Sequence, residues 1–157
     1  PVRAISHTQW RSFAVDATPY AVPPRGYSDT HSKLMGYGLW LLGFTGAHRF
    51  YYGRPITGTL WFFTFGLLCV GWLIDFFLIP AMDREADWRY RGGANDYTLA
   101  WLLLTFLGIF GAHRMYLGHW ISGLVYLFTA GLFGLGVLYD FWTLNDTVDQ
   151  ANVNWYQ

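Results

Sequence analysis

The sequence predicts an all-α, polytopic membrane protein whose four transmembrane helices form two tandem antiparallel hairpins. Three features carry this expectation: a shortage of charge, apolar residues gathered in blocks, and an internal duplication. Hydrophobic residues make up 54% of the 157 and charged residues 13%, where soluble domains carry about 25% charged residues. Ten basic and ten acidic side chains cancel, so nothing marks a nucleic-acid partner. The single cysteine, Cys69, excludes an internal disulfide and any metal site built on paired thiolates.

Residues 1–32 are polar and hold Pro1, Pro19, Pro23 and Pro24, which reads as an extended, proline-containing arm. The arm lacks the basic start, apolar centre and small-residue cleavage site of a secretory signal, so no cleaved leader is expected in it. Residues 33–80 form the first hairpin. Its opening run, LMGYGLWLLGFTGA, continues into His48 and Arg49, which places that end at the headgroups. Gly53 and Pro55 then supply a stop and a restart, because glycine tolerates the left-handed conformation after a helix and proline suits a first helical turn. The second run, residues 56–79, reaches about 36 Å as one straight helix, enough for the roughly 30 Å of hydrocarbon. A charged connector, 81–97, leads to the second hairpin, 98–145, and a polar tail, 146–157.

The second hairpin repeats the first. GAHRFYYG at 46–53 returns as GAHRMYLG at 111–118, and the same shift of 65 carries Gly53 to Gly118, Thr64 to Thr129, Gly66 to Gly131, Gly71 to Gly136 and Asp75 to Asp140. About twenty positions are identical without a gap, well beyond shared hydrophobicity. Copies that each cross twice must enter the bilayer in the same direction, as parallel repeats. This order of an apolar run, GAHR-[FM]-Y-x-G, a glycine-punctuated run and a terminal Asp resembles the TM2 domain. The resemblance covers both halves and implies an integral membrane protein with two helices per domain, but no reaction. Met115, standing where the first copy has Phe50, departs from a strict aromatic.

His48, Arg49, His113 and Arg114 are candidate contacts to lipid phosphate, a carboxylate or a partner's acidic loop, since arginine offers a planar fork of donors. The simpler reading has them complement a helix dipole and snorkel to the headgroups. Two histidines on separate hairpins fall short of a zinc set, so neither metal nor cofactor is expected. Asp75 and Asp140 form a candidate intramembrane polar pair, because an ionisable group at that depth marks either proton movement or a structural ion pair. In a plain hairpin Asp75 would face Lys33 and the connector residues Arg84, Arg89 and Arg91. It would meet His48 and Arg49 only if the helix broke between Gly66 and Gly71 and turned back. The unbroken or merely kinked helix is the favoured expectation, since irregular backbone exposed to lipid is not tolerated. Trp40, Trp61, Trp72, Trp101, Trp120 and Trp142 suit interfacial belts and helix packing, or stacking on a pigment.

The expected function is that of a non-catalytic accessory or scaffold subunit of a larger membrane assembly. No nucleophile–base constellation or phosphate loop is visible, and polar termini of this kind stay disordered unless tied down. Arg3, Trp10, Phe13 and Tyr20 would be the arm's anchors on a partner, as arginine and large aromatics dominate interface energetics. The rival readings are a self-standing receptor or lipid-binding module, and a small proton or ion transporter using Asp75 and Asp140. Arg25, Lys33, Arg84, Arg89 and Arg91 on the side of the termini, against Arg49, Arg54 and Arg114 at the tips, place both termini in the cytoplasm.

Overall fold

The computed structural model describes residues 29–42 and 45–154; Arg3, Trp10, Phe13, Tyr20 and Arg25 lie outside them. Among the described residues the fold is entirely helical. In the first repeat, α1 is Lys33–Leu41, α2 Ala47–Tyr51, α3 Pro55–Leu68 and α4 Val70–Arg89. The second repeat has α5 Tyr97–Leu107, a 3₁₀ turn Gly108–Phe110, α6 Ala112–Tyr116, α7 Trp120–Phe133 and α8 Leu135–Asn154.

The long apolar runs do not form continuous helices. Phe65, Gly66 and Leu67 adopt left-handed φ/ψ inside α3, as do Ala130, Gly131 and Leu132 inside α7. The two helices that flank the second break bend by 119°. This corrects the expectation of an unbroken or merely kinked helix: the chain reverses at residues 65–69 and 130–134. Left-handed backbone costs roughly 1–2 kcal/mol for each residue with a side chain, and Phe65, Leu67, Leu68 and Cys69 all have positive φ. The reversals meet part of their own hydrogen-bond demand. Thr64 Oγ1 donates to Leu60 O (2.7 Å) and accepts from Leu67 N (3.1 Å), and Thr129 does the same between Val125 O and Leu132 N. Cys69 N returns to Phe65 O at 3.0 Å.

Each repeat therefore runs down, back, down and back. Helix α1 lies antiparallel to α4, with Lys33 at Asp83 (3.7 Å), Tyr37 donating to Phe76 O (3.4 Å), and Trp40 stacked on Trp72 at 4.6 Å. The two indole N–H groups donate reciprocally, each to the other's backbone carbonyl. Pro80 inside α4 has no N–H for the Phe76 carbonyl four residues earlier, and the Tyr37 hydroxyl supplies a donor in its place. After α1 the chain returns through α2, so that Tyr51 Oη accepts from Ser32 N at 2.6 Å. The turn at Gly53 meets the end of α4, where Arg89 donates to Gly53 O (2.7 Å) and Arg54 pairs with Glu85.

The chain's charge is thereby sorted to one end. Lys33, Arg54, Arg89 and Arg91 all make their pairs there, so the hairpin tip that carries Arg54 does not oppose the connector. This overturns the comparison of five basic residues on one side with three on the other. Lys33, Arg89 and Arg91, expected near Asp75, pair instead with Asp83, Glu85 and Asp149. Between the repeats, on the charged side, lies a core of Tyr51, Tyr97, Trp101, Ile79, Met82 and Val148, each 1% exposed or less. Toward the opposite end large apolar side chains stand exposed, among them Phe63, Leu68, Phe128 and Phe133. Among the described residues no single helix is long and apolar enough to cross a membrane; the bent pair α7 and α8 passes that test only when taken together.

Candidate functional site

In each repeat the reversal carries an aspartate back to the GAHR segment. His48 and Arg49 sit in α2, a five-residue helix entered through Gly46 at φ 70°, and α4 presents Asp75 to both. His48 Nε2 lies 2.7 Å from Asp75 Oδ2, Arg49 Nε donates to the same oxygen at 2.8 Å, and Arg49 Nη2 donates to Asp75 Oδ1. The guanidinium is held bidentately on one face and lies over the Trp61 ring, 3.6 Å from its centroid, on the other. Asp75 and His48 are both 0% exposed. The second repeat matches this atom for atom: His113 Nε2 to Asp140 Oδ2 at 2.7 Å, Arg114 Nε to Asp140 Oδ2 at 2.9 Å, Arg114 Nη2 to Asp140 Oδ1, and Arg114 over Tyr126.

Fork-to-fork pairing of this kind combines charge-assisted bonds with fixed geometry. It uses both carboxylate oxygens, so the carboxylate is fully engaged and the arrangement braces the fold. Asp75 and Asp140 each take these hydrogen-bond partners from their own repeat, and not from one another. His48, Arg49, His113 and Arg114, candidate contacts to lipid or partner, have their polar atoms turned to these carboxylates; in both histidines the remaining ring nitrogen, Nδ1, is buried with no hydrogen-bond partner. Gly53 and Gly118 follow α2 and α6 at φ 70° and 83°, their N–H groups bonded to Phe50 O and Met115 O. A Cβ on Gly53 would meet the Tyr90 hydroxyl at 2.2 Å, whereas none within 4 Å opposes one on Gly118. Trp61 and Trp101 are buried, Trp40 and Trp72 form the stacked pair, and Trp120 and Trp142 remain exposed. No cluster of three His, Cys, Asp or Glu side chains suited to a metal occurs among the described residues.

Two groups escaped the sequence reading. Asn145, buried between the repeats, accepts from Trp101 Nε1 at 2.6 Å and donates to Phe50 O (3.2 Å) and Tyr51 O (2.7 Å). Its counterpart at a shift of 65 is Pro80, so this is where the copies diverge to bind one another. At the charged end Asp87 Oδ1 accepts from Thr30 N, Thr30 Oγ1 and His31 N. The same shift gives Asn95 and Asn152, where Asn152 Oδ1 accepts from Asn95 N at 2.8 Å. The duplication thus extends beyond residues 33–80 and 98–145, and the signal was available in the aligned residues 30/95 and 87/152.

Burial pushes the Asp83 carboxyl up to about 6, reinforced by Asp87 and Asp29 and opposed by Lys33. Burial pulls His31, packed among Tyr51, Tyr90 and Tyr97, down to about 3. A carboxyl raised in the fold contributes stability that is full below its ordinary value of 3.8 and is lost as pH rises through about 6. A lowered histidine does the reverse, losing stability as pH falls from about 6.5 toward 3. Asp83→Asn should therefore raise the thermal unfolding midpoint at pH 7 and leave it unchanged at pH 4, because Lys33 is largely exposed and its pair contributes little. A midpoint lowered at pH 7 would show that Asp83 is wanted in its charged form.

The TM2 domain profile matches residues 29–77 and 93–142, and both intervals contain a complete His–Arg–Asp brace. A TM2 domain-containing protein of Dictyostelium discoideum is 54% identical over 52 residues, covering 33% of this chain and 38% of the relative. A second from the same organism is 47% identical over 60 residues, 38% of this chain and 39% of the relative. The chain thus matches less than two fifths of the length of either relative. No solved structure matches. With a TM2 profile on both halves, each built around the same buried aspartate, the chain belongs to the TM2 domain family.

Proposed function

We propose that this chain is a membrane-embedded, non-catalytic accessory or scaffold subunit of a larger assembly, with both termini on the cytoplasmic side. The observation that carries the reading is the contrast between the inside and the outside of the fold. Its charged chemistry at depth is closed on itself, with Arg49 and His48 occupying Asp75 and Arg114 and His113 occupying Asp140. What the fold turns outward is apolar, with Phe133, Phe128 and Leu68 at 90%, 85% and 84% exposure. A patch of that kind marks a membrane or protein contact. A carboxylate held by a bidentate arginine is a poor proton carrier, which weighs against a transporter that uses these two groups. Lys33, Arg54, Arg84, Arg89 and Arg91 gather at the end of the fold that carries the described termini, which supports the cytoplasmic orientation.

Co-purification of the intact chain in mild detergent, followed by identification of what stays bound, tests the subunit role. Deleting residues 1–28 should reduce recovery of those partners severalfold while leaving membrane insertion intact, because insertion rests on the apolar segments. A full chain that is monomeric and without partners, or an arm-deleted chain that recovers them at full yield, would overturn the reading.

A further inference from the structure

The structure turns back where a crossing helix would continue, and it does so after the same length of helix in both repeats. Residues 55–64 run about 15 Å before the first reversal and residues 120–129 the same before the second; residues 70–79 and 135–144 return over about 15 Å, and residues 97–107 cover about 16 Å. Half of the roughly 30 Å hydrocarbon thickness is also about 15 Å. Helix α1, at nine residues, is slightly shorter.

Charge follows the same division. Residues 34–47, 55–74, 97–112 and 120–139 contain no Asp, Glu, Lys or Arg. Among the described residues, the ion pairs outside the two braces lie at the other end, where the turns at Gly53 and Gly118 also sit. Arg54 pairs with Glu85, and Tyr116, two residues before Gly118, accepts from Asp96 N at 2.8 Å. Exposed Trp88 and Trp120 lie at this charged end, as tryptophans do at a headgroup boundary. At the opposite end Phe65, Leu68, Phe106, Phe110, Leu132 and Phe133 are exposed. The threonine hydroxyls bonded into both reversals lessen the cost of irregular backbone in hydrocarbon.

We infer that the chain sits in one leaflet of a phospholipid bilayer, its charged end at one headgroup surface and its two reversals near the midplane, in place of four crossings. The apolar end is covered by acyl chains of that leaflet. Those chains also fill the groove of about 560 Å³ between the repeats, lined by Leu42, Phe62, Phe63, Leu138, Phe141 and Trp142. The inference rests on the membrane reading above and makes it specific, because the connector and both hairpin tips must then share one aqueous side.

The test uses the full chain with Cys69→Ser and two new cysteines, Ala94→Cys in the connector and His119→Cys at the second tip, both at exposed positions. It is reconstituted into sealed vesicles of phosphatidylcholine and phosphatidylglycerol, and a membrane-impermeant maleimide mass tag is added outside. Single-leaflet seating yields molecules with two tags or none, whichever way the protein is inserted. Crossing hairpins yield one tag per molecule, which would overturn the inference and leave the membrane reading standing. In the unsubstituted chain a nitroxide on Cys69 should relax faster with oxygen than with a water-soluble nickel chelate, as a midplane site does; the opposite order would place the reversal at the surface and also overturn it. A chain that fails to float with the vesicles would remove the membrane reading itself.

Discussion

Asp75→Asn should destabilise the protein by about 3–5 kcal/mol, the cost of leaving a buried charge without its partner. The amide cannot neutralise Arg49, whose side chain is 7% exposed and which lies between that carboxylate and the Trp61 ring. Asp140→Asn should cost distinctly less, because the Arg114 side chain is 23% exposed and can turn toward water or headgroups. Thermal unfolding of the purified chain in mild detergent would measure both. The double variant Arg49→Met, Asp75→Asn should recover part of the loss, since it strands no charge. An Asp75→Asn midpoint equal to the parent's would mean that the brace does not hold the reversal.

Asn145→Leu should loosen one repeat from the other at a cost of about 3 kcal/mol. Its amide is the hydrogen-bond partner of the fully buried Trp101 indole and of the Tyr51 carbonyl, and each buried group left unpaired costs about 1–3 kcal/mol. The loss should appear as faster tryptic cleavage in the connector at Arg84, Arg89 or Arg91, with the two halves otherwise folded. Adding Trp101→Phe to Asn145→Leu should restore part of the protection, because the stranded indole donor is then gone. Unchanged cleavage kinetics would show that the repeats hold together without Asn145, through contacts such as Phe50 edge-on to Phe141 at 5.9 Å and Tyr51 Oη to Thr98 Oγ1 at 3.0 Å.

Much of the molecule was legible in the sequence because it depends on short-range pattern. Apolar blocks and glycine punctuation specify helices and turns through local backbone preference and burial, and an ungapped repeat specifies that two similar units occur. The GAHR segments and the two aspartates stood out for the same reason: charged residues set in apolar sequence are costly unless paired.

What the sequence alone determined, then, was helical class, duplication, family resemblance and the identity of the polar residues at depth. Which of them meet was decided by tertiary structure. A run of 24 apolar residues is equally consistent with one straight helix and with two short ones joined by a reversal, since hydrophobicity does not record direction. Left-handed φ at Phe65, Leu67 and Ala130 opposes local preference. It goes with the joining of Asp75 to Arg49 and of Asp140 to Arg114, partners 26 residues apart in each repeat. Asn145 was invisible for a related reason: its hydrogen-bond partners lie 44 to 95 residues away, and only the packed repeats bring them within bonding distance.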